Sequence, residues 1–472
     1  MANALWAAFE EYVHNVMEEQ NVPGLAVAVA RNGEVVYARG FGVRDRTTGE
    51  RVDPNTVFGI ASVSKSFTAM AIMQLIDSGK LTVNDPAVKL VPAFRIRGID
   101  WMEDIQVHHL LSHTSGLPPL PGLRYAMRPT MKGYPRWDDS KPEEPPAVPD
   151  EELPDLSTFP KYIEWLAGEE VEMLGRPGEY YSYSNDGYCI LASVIEHLTG
   201  RDYYEHMTEN VLQAIGMSRS TYRLADLPAL GNVTKLYFHN INHEVKDVPQ
   251  WQDCKVYDAG GGIRSTVLDL VNCGQVYTSG GMAGDKRIVS EKGIRRMRAP
   301  VHKIRKNTYY CHGLQITPDY SGMTLVEHGG SLTGVGSAFG FVPGKGLSAA
   351  VIANVSRVAS ADVWLAAVNT GLGLPLEQKR TEETADYDVT PDQIARFAGT
   401  YKSGEGGTFR VFAERDALKI EVTGLTFPLK ASDESTLVYS MRGHNQVVRF
   451  FTGSSGKVWA AFHGGRMVRR VA

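Results

Sequence analysis

Leu5, Trp6, Phe9, Tyr12, Val13, Val16 and Met17 recur at three- and four-residue spacing, the pattern of a helix with one buried face. The run 24–30 is apolar throughout and predicts a strand. Asn32-Gly33 is a strong two-residue hairpin signal, with 34–42 as the returning strand. Phe67, Met70, Ile72, Met73, Leu75 and Ile76 leave almost no polar face, so the helix over 67–76 is expected to be buried, with Gly79 as its stop. Further helices are expected at 162–167, 188–198 and 203–214. The text of 337–342, 343–346 and 347–354 reads as strand, turn, strand, and 364–368 as a closing helix. The first and last helices would then share one face of an antiparallel sheet. From Phe397 the pattern turns to alternation, at 408–412, 418–422, 425–429, 436–439, 447–451 and 458–462. Short strands at that regular spacing suggest a small antiparallel barrel.

At 472 residues the chain is too long for one ordinary core, so two or three domains are expected. Hydrophobic residues are 43% and charged residues 22%, an ordinary globular balance, and a net charge of −5 with no basic run argues against nucleic acid or a membrane surface as partner. Eleven of the 24 prolines fall between Pro118 and Pro160, which predicts a long loop without helix or sheet ladders. That loop either roofs the site discussed next or is a solvent-exposed insertion, and Glu143-Glu144 within it reads as solvated charge. Residues 374–390 are polar and read as a linker. Cys189, Cys254, Cys273 and Cys311 show no C-x-x-C spacing, so free thiols in a reducing compartment are expected. The first twenty residues lack the basic and apolar regions of a signal peptide, no run of about eighteen apolar residues is present, and a cytoplasmic location is the default expectation.

The chemistry centres on Ser62-Val63-Ser64-Lys65, at the start of the buried helix. A serine and a lysine three apart share one helix face, so the amine can reach the hydroxyl and help remove its proton. The helix N-terminus adds positive partial charge beneath the nucleophile. Tyr183-Ser184-Asn185 follows on a turn before a second helix, where Asn185 is also a good N-cap candidate. His328-Gly329-Gly330-Ser331 stands where a strand is expected to begin. His108, His109 and His113 form a sequence cluster, but no carboxylate or cysteine spacing completes a zinc site. The turn at 260–265 does not have a phosphate-loop pattern.

Taken in this order, the three elements resemble the signatures of the penicillin-recognising serine hydrolases, and Tyr183-x-Asn185 resembles the class C β-lactamase, D-aminopeptidase and carboxylesterase branch. Flanking blocks at 110–118, 177–179 and 260–266 agree, and the resemblance spans roughly residues 5–372. It implies an α+β fold, an α/β/α sandwich in which helices flank an antiparallel sheet beside an all-helical subdomain. The expected division is a hydrolase domain over 1–373, a linker over 374–390 and a lipocalin-like barrel over 391–472. The resemblance makes Ser62, rather than Ser64, the nucleophile, with Lys65 and Tyr183 sharing its proton. Asn185 would bridge Lys65 and the substrate, and the N–H groups of Ser62 and Ser331 would form the oxyanion hole. His328 replaces the lysine that most class C enzymes carry, so a weaker, part-time cation is expected there. Gly329 and Gly330 would let substrate lie close against the strand. No cofactor or metal is called for. The expected reaction is hydrolysis of an ester or amide of a small-molecule or short-peptide substrate, by a carboxylesterase or D-amino-acid peptidase. The alternatives are a β-lactamase or DD-carboxypeptidase, and a catalytically silent penicillin-binding sensor. Oligomeric state is not legible.

Overall fold

A computed structural model of the protein describes residues 2–141, 146–388, 395–414, 417–441 and 443–471. Eight antiparallel strands form the main sheet: β1 (Gly24–Arg31), β2 (Glu34–Gly42), β3 (His302–Arg305), β4 (Thr308–Tyr310), β5 (Gln315–Tyr320), β6 (Met323–Leu332), β7 (Val335–Val342) and β8 (Leu347–Ala353), in the order β2-β1-β8-β7-β6-β5-β4-β3. The hairpin between β1 and β2 turns at Asn32 and Gly33, whose φ values of 51° and 87° are those such a turn demands. Strand β1 is apolar on both sides because both faces are covered. Val27 and Val29 pack with Phe9, Val13, Trp364 and Val368, which lie on helices α1 (Ala2–Glu19) and α5 (Ser360–Leu372). Ala26 and Ala28 pack on the other side, with residues of α2 (Ser64–Asp77) and α4 (Val267–Thr278). Between them in sequence, α3 (Asn185–Thr199) belongs to the helical region against α2. The buried helix read from the sequence is α2, with no exposed side over most of its length.

Nine further strands form a second, nearly closed sheet: β9 (Gly399–Lys402), β10 (Thr408–Glu414), β11 (Ala417–Val422), β12 (Leu425–Pro428), β13 (Lys430–Ala431), β14 (Thr436–Met441), β15 (His444–Thr452), β16 (Val458–His463) and β17 (Arg466–Arg470). Its interior is lined by Tyr401, Phe409, Ile420, Leu437, Val448, Phe450 and Ala461. Residue 391, where the barrel was expected to begin, and Glu143-Glu144 lie outside the described residues.

Three local expectations change. His328 is not at a strand start but sixth in β6, because Gly329 and Gly330 continue the ladder opposite Ala338 and Ser337 instead of breaking it. Ser184, not Asn185, caps α3: its Oγ accepts the Gly187 N–H, which leaves the Asn185 amide free. The helix expected over 203–214 holds a π-helical turn at Thr208–Leu212. The four cysteines are buried free thiols. No helix among the described residues is long and apolar enough to cross a membrane.

Candidate active site

Ser62 lies in the one-turn helix Ala61–Val63 that leads directly into α2. Ala61 has φ 45°, a left-handed conformation that costs a residue with a Cβ about 1–3 kcal/mol and survives only where the surroundings enforce it. The enforcing contacts are visible. Ile60 N donates to Ile263 O at 3.0 Å, and Ser337 Oγ donates to Ile60 O at 2.7 Å. Gly330 runs so close that a Cβ there would meet Ile60 O at 2.3 Å and Ser62 N at 3.0 Å. Strand β6 therefore lies against the backbone of the serine, and Ser331, next along, is exposed beside it. Gly329 has no such crowding, and its nearest neighbour to a Cβ would be Ser337 O at 3.7 Å.

Lys65, one turn on, is fully buried. Its Nζ lies 3.4 Å from Ser62 Oγ and donates to Asn185 Oδ1 at 2.9 Å and Gly260 O at 2.8 Å. Burial, reinforced by the Arg466 guanidinium, lowers its pKa from 10.5 to about 7. A lysine at that value is close to half neutral at pH 7 and can accept a proton. Gly260 was read as part of a turn; its place in the short helix Asp258–Gly261 aims its carbonyl at the amine. Ser64 is buried and its Oγ accepts from Ile263 N at 3.1 Å, a structural bond that occupies it.

The Tyr183 ring lies with its centroid 4.8 Å from Lys65 Nζ. Its hydroxyl is buried beside Ser62, and burial raises its pKa although Ser62 and Arg466 favour the phenolate. His113 braces this segment. Its Nδ1 accepts from Ser184 N at 3.1 Å, its carbonyl accepts from Ser182 N at 2.9 Å, and its ring centroid is 4.2 Å from that of Tyr183. His113 itself sits at φ 59° and is held uncharged by burial. The sequence marked its block, 110–118, but not this role. His109 closes a capping box on the helix Val107–Leu111 by accepting from Gln106 N.

His328 departs from expectation. It is 2% exposed, its Nε2 is paired with Tyr310 OH at 3.0 Å and its Nδ1 with Gly329 O at 2.7 Å. Burial first, then the Lys65 charge, lower its pKa to about 3, so it is neutral at physiological pH and not a part-time cation.

Two residues that sequence reading missed come from the barrel. Asn185 Nδ2 donates to Glu405 Oε1 at 3.1 Å, and Arg466 Nε donates to Glu405 Oε2 at 2.6 Å. The Arg466 guanidinium lies 4.9 Å from the Tyr183 ring centroid. Strand β17 is fixed there by Tyr183 N donating to Gly465 O at 2.8 Å and Met467 N donating to Ser182 Oγ at 3.2 Å. The proline-rich segment also reaches this region. Its Tyr134 packs, with Trp251, Phe238 and Leu332, on the apolar cluster that contains Ala61. Its Trp137 Nε1 donates to Thr423 O in the barrel at 3.1 Å.

Against known proteins, penicillin-binding protein 4 of Amycolatopsis lactamdurans is 26% identical over 413 residues, which cover 85% of this chain and 98% of that one. Protein flp of Staphylococcus aureus (strain MW2) is 26% identical over 211 residues, only 45% of this chain and 37% of its own length. Among solved structures, the octameric penicillin-binding protein homologue from Pyrococcus abyssi superposes with a TM-score of 0.70 at 27% identity, covering 98% of this chain and 99% of that one. A D-stereospecific amidohydrolase from Streptomyces sp. shares the fold, with a TM-score of 0.60 at 22% identity over 76% of this chain and 97% of its own. The family model described as Beta-lactamase matches residues 9–370, a span that contains Ser62, Lys65, Tyr183, Asn185 and His328, and the chain belongs to that family.

Proposed function

We propose that the protein is a serine hydrolase that forms an acyl-enzyme on Ser62 and hydrolyses esters or amides. The observation that carries this reading is the Lys65 amine, buried, depressed to about 7 and 3.4 Å from Ser62 Oγ. A serine hydroxyl needs a positioned base, and this amine is poised to be one. Ser62 Oγ attacks the carbonyl carbon while its proton passes to Lys65. The oxyanion rests on the N–H groups of Ser62 and Ser331. The carbon–oxygen or carbon–nitrogen bond then breaks, and the leaving group takes the proton from Lys65 through Tyr183. Water enters, gives its proton to the same pair, and attacks the acyl carbon. The acid is released and the proton returns to Ser62.

The substrate class we infer is an ester or amide that needs no carboxylate for binding and has an apolar acyl part, as for a carboxylesterase or a D-amino-acid peptidase. Two features support it. His328 offers no positive charge where a carboxylate would otherwise be bound. The partly buried Tyr134, Trp251, Phe238 and Leu332 offer an apolar wall beside Ala61. A substrate panel tests the reading: short-chain p-nitrophenyl esters, D- and L-aminoacyl p-nitroanilides and nitrocefin. Efficient turnover of esters or D-anilides with slow nitrocefin hydrolysis is expected. A strong preference for nitrocefin would replace this reading with that of a β-lactamase.

A further inference from the structure

The main-sheet domain brings one charged base to Ser62, and the strand position that could have supplied a second cation holds a neutral histidine. A second cation is nevertheless present beside the same tyrosine. The Tyr183 ring centroid is 4.8 Å from Lys65 Nζ and 4.9 Å from the Arg466 guanidinium. Two side chains, Glu405 and Asn185, link Arg466 to Lys65 in a line of hydrogen bonds. Arg466 Nε donates to Glu405, Glu405 accepts from Asn185 Nδ2, and Asn185 Oδ1 accepts from Lys65 Nζ. The carboxylate thereby fixes which end of the Asn185 amide faces the lysine. Glu405 is on the loop Ser403–Gly407 of the barrel and Arg466 opens β17, so neither belongs to the family-matched span 9–370.

We propose that Arg466 is the second cation of this active site, and that Arg466 and Glu405, as positioning residues, set the pH at which the Lys65–Tyr183 pair can take the proton of Ser62. The inference rests on the reading of Ser62 as nucleophile given above. The physics is direct. A nearby positive charge disfavours protonated lysine and favours phenolate, so it pushes both members of the pair toward losing a proton. A carboxylate does the opposite. In agreement, Arg466 lowers both groups, and Glu405 raises both. Because the two titrate as a coupled pair, the measured midpoint belongs to the pair.

The remaining groups around the pair are accounted for. From α3, Asp186 accepts from Tyr162 OH at 3.2 Å and Tyr257 OH at 2.6 Å, and burial raises its pKa to about 7. Asp258, on the short helix whose Gly260 O accepts from Lys65, is likewise raised by burial to about 7, so these two carboxyl groups are the others able to titrate in the working range. Cys189 on the same helix is a buried thiol whose ionisation burial suppresses. His113 and His328 are held neutral, and Tyr181, Tyr188 and Tyr310 are phenols whose ionisation burial suppresses.

The test is the pH dependence of Ser62 phosphonylation by a fluorophosphonate, followed on the full-length protein, with the labelled residue mapped by mass spectrometry. Arg466→Gln is expected to move the acid limb to higher pH by about one unit or more, and Arg466→Lys to restore most of that shift. Glu405→Gln is expected to move it to lower pH. Asp186→Asn and Asp258→Asn identify any part of the profile that belongs to either carboxyl group. Opposite shifts are the signature, because a pair that only docked the barrel would change the rate in the same sense in both variants. Equal losses of rate with an unmoved midpoint overturn the proposal. Should Arg466→Gln fail to fold, an unmoved midpoint in Glu405→Gln overturns it alone. A wild-type protein labelled elsewhere than Ser62 overturns the nucleophile reading, and this inference with it.

Discussion

At the scale of single residues, two serines two positions apart have different surroundings. Ser62 is only partly covered and faces the Lys65 amine, whereas Ser64 is fully buried and holds the Ile263 N–H. Ser62→Ala should abolish covalent labelling without loss of stability. Ser64→Ala should keep the label and lower the unfolding free energy by about 1–3 kcal/mol, the cost of stranding a buried N–H, as read by urea unfolding. Lys65→Ala and Tyr183→Phe should each reduce turnover on the order of 10³-fold, and the double variant should be little worse than either, since both serve one proton. Their pH behaviour has a definite sign. The lysine works when neutral, and its pKa is lowered to about 7, so the acylation rate should rise with pH through about 7 and level off above it. A rate that instead fell with rising pH near 7 would contradict the assignment. Ser62 and Lys65 were legible as a pair because three-residue spacing puts them on one helix face, and Tyr183 and Asn185 only through the resemblance of their motif to the family's. Their protonation states were not. His328 is neutral through burial and the nearby Lys65 charge, which no local sequence signal encodes.

At the scale of elements, most of what the sequence showed was periodicity, and the helices and strands with one clear buried face followed it. The errors fall where glycine or a polar residue has two local meanings. Gly329 and Gly330 are expected from the sequence to let substrate lie close against a strand, but at Gly330 the missing side chain lets β6 itself pass Ile60 and Ser62. Gly330→Ala would place a Cβ 2.3 Å from Ile60 O and 2.4 Å from Ser337 Oγ. It is expected to cost about 1–3 kcal/mol in stability and to reduce acylation of Ser62 by more than the change in folded fraction explains. Asn185 suits an N-cap by type, but Ser184 takes that place and the amide goes to Lys65 and Glu405. Removing the cap by Ser184→Ala should cost about 1 kcal/mol, read as a lower urea midpoint. Strand β17 escaped notice because Arg466, Arg469 and Arg470 break its apolar alternation. Only Met467 and Val468 are buried, the first in the cluster with Tyr183 and the second in the barrel interior.

At the scale of the whole molecule, two of the places where the barrel meets the rest carry charge, with different electrostatics. One is the Glu405–Arg466 contact at the active site. The other is His444, at the start of β15, whose ring nitrogens lie 2.9 Å from Glu382 and 3.0 Å from Asp362 on α5. The two carboxylates, with Asp362 foremost, raise the His444 pKa to about 9. A raised histidine stabilises the fold fully below its unfolded value near 6.5, and the contribution fades as pH rises through about 9. With the pair about a third exposed, screening reduces its worth to roughly 1–2 kcal/mol. His444→Gln should therefore lower stability at pH 6 and make little difference above pH 10, and an equal effect at both would show that charge is not involved. Neither junction was legible in the sequence. Each is a tertiary meeting of residues separated by more than 60 positions, and short-range pattern carries no trace of it.

The central claim is that Ser62, prepared by Lys65, is the acyl acceptor. The most direct measurement is mass spectrometry of the full-length protein after brief exposure to a short-chain p-nitrophenyl ester or a fluorophosphonate, with the adduct mapped by digestion. A single adduct on Ser62, absent in Ser62→Ala and strongly slowed in Lys65→Ala, is the predicted result. An adduct on Ser64 or Ser184, or undiminished labelling of Ser62→Ala, would contradict it.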